Sequence, residues 1–317
     1  MKKNRSMMAG LCLLAVMCAG YGAVSFGVGQ QEKRKQEAEE ANTIYLTDFA
    51  EVTGVKATRQ GQTISLIKED GQWLDEGDTE RPVKQSLAAL LASVGQQITA
   101  SRRLEGAGAL VNYGLDEPEY RAVFTDASGE QAEILVGDQL EDGRYYAKLE
   151  GRAEVYTIDS GLVSAMDYTD LEFTQPEILP QVKSDEVQLV QVTGAAGDED
   201  EEDEMAGEMI FSRKDGTLTD EMAASAAGFV LGDCAAWKPD KEELAEMGFD
   251  GRERRLSYVY EPDAEEDEEN GHQSTVVLEI GGLNETGTDY YVRQPGSSMI
   301  LLMSRSVLDE FLMGNAG

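Results

Sequence analysis

Apolar and polar residues alternate along most of this chain, and the period of the alternation changes where helices should begin. VKATR and TISLIK, on either side of Gly61, alternate with a period of two and predict a hairpin. Over 83–98 the period lengthens, and Leu87, Leu90, Leu91, Val94 and Ile98 fall on one face of a predicted helix. A short capped helix is predicted near Leu110, stopped by Gly114. Then RAVFT, the turn DASG, AEILVG, a turn around Gly143, RYYAKL, a turn at Gly151 and EVYTI read as successive strands, followed by a short helix over 162–166. Turns this short favour antiparallel pairing.

The pattern then starts again. LVNYGLDEPEYRAVFTD, 110–126, returns in altered form as LAEMGFDGRERRLSYVYE from Leu244. Gly114 falls opposite Gly248, with Leu110, Tyr113, Leu115 and Asp116 opposite Leu244, Met247, Phe249 and Asp250, an offset of 134. Tyr145 and Tyr146 meet Tyr290 and Tyr291 at an offset of 145, Gly71 meets Gly216 at 145, and Val55 meets Val187 at 132. Four anchors in one order imply duplication. Asp240 and Glu243 have the spacing of a capping box, and each glycine supplies the left-handed residue that ends a helix. In each tyrosine pair one ring is expected inward and the other exposed. The expected class is α+β: two tandem copies of a mostly antiparallel sheet with a covering helix, at 44–175 and 176–317.

Changes in offset locate insertions. Both gains fall in the second copy, GAAGDEDEEDEMAGE in its first hairpin and EPDAEEDEENGHQ in its second, while DEGDTERP before the first helix has no counterpart there. The first insertion carries an unbroken run of seven acids, and the second holds seven acids interrupted by Pro262 and Ala264. Without those fourteen, 47 Asp and Glu still face 27 Lys and Arg, so acidity is global and the net charge of -34 is not made by the loops alone. Such a chain is not built for nucleic acid and is repelled by anionic surfaces. The runs lack the glycine and alternating ligands of an EF-hand, so they are expected to be solvated loops with weak divalent cation association at most.

Residues 7–28 carry no charge and are long enough to cross a bilayer as a helix, with Lys2, Lys3 and Arg5 ahead of them. The expected layout is a cytoplasmic tail at 1–6, a transmembrane anchor at 7–28 and a polar tether at 29–43, with the bulk of the chain extracytoplasmic at the cell membrane. GYGA around Gly22 keeps a cleaved signal peptide open as the alternative. Cys12 and Cys18 lack the small preceding residue of a lipidated cysteine, and Cys234 stands alone in the rest, so no internal disulfide is available there.

Reactive constellations are scarce. The single histidine, His272, sits in an acidic insertion, Cys234 follows an apolar helical run without a histidine near it, and no GxGxxG, Walker loop, HExxH or paired CxxC occurs. No catalytic, cofactor-binding or metal residues are assigned.

The order YGLDEPEYRAVFTD, GEQAEILVGD and GRYYAKLEGRAEVYTID, after a GQW segment and a leucine-rich helix, resembles the domain of unknown function 4340 family of bacterial envelope proteins over about 44–313. The resemblance implies an N-terminal anchor, an extracytoplasmic repeat domain and the company of ABC-type transporter components, and it carries no catalytic residues. The second copy departs from it, with MGFD for YGLD. Two functions are expected to compete. One is a non-enzymatic accessory or scaffold protein for an ABC-type transporter, with an exposed apolar or aromatic patch on a sheet. The other is a small-ligand-binding protein or carboxylate hydrolase, with a deep cleft between the copies lined by Asp, Glu and Tyr.

Overall fold

The structure, a computed structural model, describes residues 43–106, 108–194, 208–251, 253–262 and 273–313. The described strands and helices form two antiparallel sheets with a few helices, an α+β class. By packing, the described residues of Met1–Val52 and Ser93–Ser164 make one compact unit, and those of Thr53–Ala92 and Ala165–Gly317 a second.

The first unit is built on a meander. Strands β6 (Tyr120–Asp126), β7 (Gln131–Gln139), β8 (Tyr145–Leu149) and β9 (Val155–Ile158) follow one another through turns at Gly129, Gly143 and Gly151, all with positive φ. With β5 (Thr99–Leu104) and β1 (Ile44–Tyr45) the order is β1-β5-β9-β8-β7-β6. Ala122, Phe124, Ile134, Val136 and Ala147 face inward and are fully buried. Helix α1 (Gln85–Gln96) ends over them: Gly95 lies so close to the Phe124 ring that an added Cβ would stand 2.0 Å from it. Helix α2 (Gly161–Met166) follows β9.

In the second unit β2 (Val52–Arg59, of which Thr53 onward belongs here), β3 (Gln62–Glu69) and β4 (Gln72–Asp75) are consecutive antiparallel neighbours. Beyond them β10 (Val187–Thr193), β11 (Met209–Ser212), β12 (Cys234–Trp237), β13 (Arg254–Tyr260), β14 (Ser274–Leu283), β15 (Asp289–Arg293) and β16 (Met299–Ser304) form a sheet in the order β11-β10-β13-β14-β15-β16-β12. Helices α3 (Asp220–Ala227) and α5 (Arg305–Leu312) join its core, which packs Met222, Ala223, Ala226, Leu308 and Phe311 with Val190, Leu256, Tyr258, Leu278 and Leu301. Two helices therefore line this core where the sequence predicted one.

The opening motif has a physical reason. A 3-10 turn, Leu110–Tyr113, ends at Gly114 (φ 65), whose N–H reaches the Val111 carbonyl while Leu115 N–H reaches Leu110 O at 3.1 Å. Helix α4 (Lys241–Glu246) ends the same way: Gly248 (φ 84) bonds Ala245 O, and Phe249 bonds Leu244 O at 2.8 Å. Both are Schellman endings, and both put the following apolar residue, Leu115 or Phe249, into buried contact. Each ending also rests on a bulged strand. A Cβ on Gly137 of β7 would lie 2.1 Å from Tyr113 O, and one on Gly281 of β14 would lie 2.2 Å from Met247 O. The β7–β8 and β14–β15 ladders shift register at these glycines.

Several expectations are corrected. Helix α1 covers 85–96, and its buried residues are Ala88, Leu91, Ala92 and Gly95, while Leu90 points to solvent at 45% exposure. Its buried positions are mostly small residues, so the apolar stripe is narrower than the leucines suggested. The element near Leu110 is a 3-10 turn without a side-chain cap, whereas the Asp240–Glu243 capping box forms as expected. Tyr145 and Tyr146 are both half-buried, the latter against Tyr113 (5.0 Å); Tyr290 is buried and donates to Asp309 at 2.9 Å. The short strands β1, β4, β5 and β12 were not anticipated. The 7–28 span, both acidic runs and His272 lie outside the described residues, among which no helix is long and apolar enough to cross a membrane.

Candidate functional site

The segment without a counterpart, 75–82, proves to be a structural junction inside the second unit. Asp75, at the end of β4, is buried; it accepts from the N–H groups of Gly77 (2.7 Å) and Asp78 (3.1 Å) and from the Arg81 guanidinium. Arg81 also reaches Asp170 at 3.1 Å. Three residues on, Asp78 takes hydrogen bonds from the Trp237 indole and the Lys238 ammonium, both at 2.9 Å, and Glu80 takes a second from Lys238 at 2.7 Å. Lys238 is held in the left-handed region (φ 47) with its ammonium 5.4 Å from the Trp237 ring. A backbone residue with a side chain adopts that region only where its surroundings fix it. The Lys238 and Trp237 bonds, in that order, pull the Asp78 carboxyl down to about 2.

A second feature is a cavity of about 210 Å³ between the β2–β3 hairpin, α1 and the stretch after α2. Ala57, Ile64, Leu91, Met166 and Phe173 give it an apolar lining, and Arg59, Gln62, Thr63, Tyr168 and Asp170 supply polar groups. It holds a tyrosine and an aspartate, yet Asp170 already bonds Arg81 and the volume falls below the ~300–1,000 Å³ of drug-sized ligand pockets.

The third is a hollow, also about 210 Å³, lined by Leu179, Pro180, Ala227, Phe229 and Leu231. Beside it Ile178 and Val230 stand 80% and 73% exposed. This patch lies on the loops at 177–181 and 228–231, not on a sheet face as expected.

Cys234 is buried at the start of β12; burial pushes its thiol up to about 11, and its Sγ lies 3.3 Å from Ala236 O. It is a packed thiol, not an activated one. Glu279, buried in β14, is bonded by Arg255 (2.8 Å) and Arg293 (2.7 Å), and Arg293 stacks 4.6 Å over Phe249. Among the described residues no group of acids, histidines and cysteines is arranged to hold a metal ion. Sequence reasoning missed the cavity, because its walls come from segments too far apart to form a motif. It did mark the junction, as the stretch that failed to align.

The fold thus defines a class: an antiparallel α+β domain whose helix-ending glycines dock on bulged strands. The family resemblance read from YGL and VGD holds, since residues 82–219 match the model of the family described as Domain of unknown function (DUF4340). That segment is shorter than the 44–313 read from the sequence, beginning just ahead of α1 and ending on Thr219, the N-cap of α3. No curated protein and no solved structure matches the chain.

Proposed function

We propose that this chain is a non-enzymatic, membrane-anchored extracytoplasmic accessory or scaffold protein that presents a loop surface to a protein partner, an ABC-type transporter component. The observation that carries the reading is the pair Ile178 and Val230, large aliphatic side chains given to solvent beside an apolar hollow. Apolar surface grouped in this way favours a protein contact. Polar groups elsewhere, by contrast, bond one another: Asp75 with Arg81, Asp78 with Lys238, Glu279 with two arginines.

The scaffold is read as two tandem copies of one repeat. Strand orders β5-β9-β8-β7-β6 and β12-β16-β15-β14-β13 correspond one to one, and the β2–β3 and β10–β11 hairpins and the Schellman glycines correspond as well. The matched segment, from α1 to the N-cap of α3, has the length of one period. The apolar run at 7–28 is read as the anchor.

The test is affinity purification of the detergent-solubilised full-length protein, comparing wild type with the double variant Ile178→Asp, Val230→Asp. Recovery of a transporter permease or ATPase by the wild type, lost in a variant of unchanged melting temperature, is expected. Equal recovery by both, or no transporter component with either, overturns the proposal. Extraction of the protein by alkaline carbonate would remove the anchor.

A further inference from the structure

Strand β5 is only partly covered on the side that carries β1. The two pair antiparallel, Ile44 opposite Ala100 and Tyr45 opposite Thr99, and among the described residues the pairing stops there. Residues 101–104, which β9 holds on the other side, therefore keep an open edge. Arg102 and Arg103 stand exposed on that stretch. In a chain of net charge -34 most described arginines hold a carboxylate, as Arg81, Arg121 and Arg144 do, but these two hold none among the described residues. An open edge with two adjacent unpaired cations fits an acidic strand.

A strand from another protein is poorly served here, because the β5–β9 ladder shifts register at Ser101 and charges line the edge, both devices that blunt an edge against foreign chains. The segment ahead of β1 is different. It is covalently joined to a strand already seated on this edge, so its local concentration is high. It reads EAEEAN over 37–42, outside the described residues. Continuing the β1 register puts Asn42 opposite Arg102, Ala41 opposite Arg103 and Glu40 opposite Leu104. Glu40 and Glu39 then lie diagonal to Arg102 and Arg103, within reach of long side chains. We propose that the open edge of β5 is the docking surface for this chain's own tether, which adds 37–43 as an antiparallel continuation of β1 with Glu39 and Glu40 on the two arginines. Where 7–28 is the anchor, only 29–36 then remain free to span to the bilayer, and the first unit is held within about 30 Å of it. That consequence rests on the anchor reading; the docking does not.

The test is amide hydrogen exchange over 101–104 in the full-length protein in detergent at low salt. Reversing the tether charges (Glu39→Lys, Glu40→Lys) is expected to speed exchange there by about fivefold, as the loss of two cross-strand charge pairs dictates. Adding Arg102→Glu and Arg103→Glu to that variant is expected to restore the slow rate, which a general effect on folding would not do. A second measurement fixes the register. In a Cys12→Ser, Cys18→Ser background, Ala41→Cys with Arg103→Cys is expected to close a disulfide under mild oxidation at least about tenfold faster than Ala41→Cys with Glu105→Cys, since opposite residues stand about 4.5–5.5 Å apart and diagonal ones about 7–8 Å. Equal exchange in wild type and the reversed variant, no recovery on the charge swap, or equal rates for the two cysteine pairs overturns the proposal. Protection at 101–104 that rises with protein concentration would put the tether of a second copy on the edge, and overturns it as well.

Discussion

At the scale of single residues, most of the specificity lies where a side chain is missing. Gly137 and Gly281 let a carbonyl from the preceding helical turn approach the strand, and Gly282 N–H bonds Met247 O at 2.8 Å in that approach. Gly137→Ala places a Cβ against backbone that cannot swing aside, so it is expected to cost about 1–3 kcal/mol, the usual range for overpacking. Gly114→Ala adds left-handed strain to a clash with Asp138 N at 2.9 Å and is expected to cost at least as much. Gly143→Ala is the control: its φ is 87, but nothing lies within 4 Å, so only the strain of about 1–2 kcal/mol applies. Urea denaturation of the three variants orders them, and Gly248→Ala and Gly281→Ala are expected to repeat the order. These glycines were legible in the sequence as helix stops and as part of VGD. Their mutual contact was not, because nothing in a linear pattern says that Gly114 and Gly137 meet. Cys234 makes a further prediction at this scale. In a Cys12→Ser, Cys18→Ser background, a thiol held near pKa 11 and buried is expected to resist an aromatic disulfide reagent until denaturant is added.

Elements were legible to the extent that they repeat. The meander β6–β9 and helix α2 lie where the alternation placed them, since half-buried strands and Gly turns leave a clear period. The short strands β1, β4, β5 and β12 do not, being two to six residues long and fixed by tertiary partners. Strand β4 shows the cause: it exists because Trp73 is buried and Gln85 bonds Trp73 on both its N–H and its carbonyl at 2.8 Å. The loop that follows is expected to respond to acid in a defined way. The Asp78 carboxyl titrates at about 2 in the folded chain against 3.8 unperturbed, so its contribution is complete above about pH 4 and is lost as pH falls through about 2. Trp237 fluorescence should therefore change near pH 2, and Asp78→Asn should abolish that step. Arg81→Ala tests the other half of the loop. Asp75 would remain buried without its partner, and breaking a buried pair costs about 3–5 kcal/mol. Calorimetry on this variant should show the larger loss, with Lys238→Ala, at the exposed end, much milder.

Across the whole molecule, charge is the dominant constraint that packing does not relieve. The chain carries 61 acids against 27 Lys and Arg, and the ion pairs of the folded core cancel only a minority of them. Self-repulsion on this scale opposes a compact state and weakens once the Debye length shrinks, from ~30 Å at 0.01 M to ~8 Å at 0.15 M salt. Melting temperature is thus expected to rise as sodium chloride is raised over that range, most steeply at the low end. Shortening both acidic insertions to two-residue turns should reduce the slope without removing it, because 47 acids would remain against 27 bases once fourteen are gone. Calcium separates general screening from coordination. If the insertions only associate weakly with divalent cations, calcium chloride at millimolar concentration should act as its ionic strength dictates, in wild type and shortened chain alike. A calcium-specific rise confined to the wild type would instead show that the two runs assemble an ordered site. A flat response to sodium chloride would show that the acids are spaced widely enough for repulsion not to matter, and the charge argument would then fail at its first step.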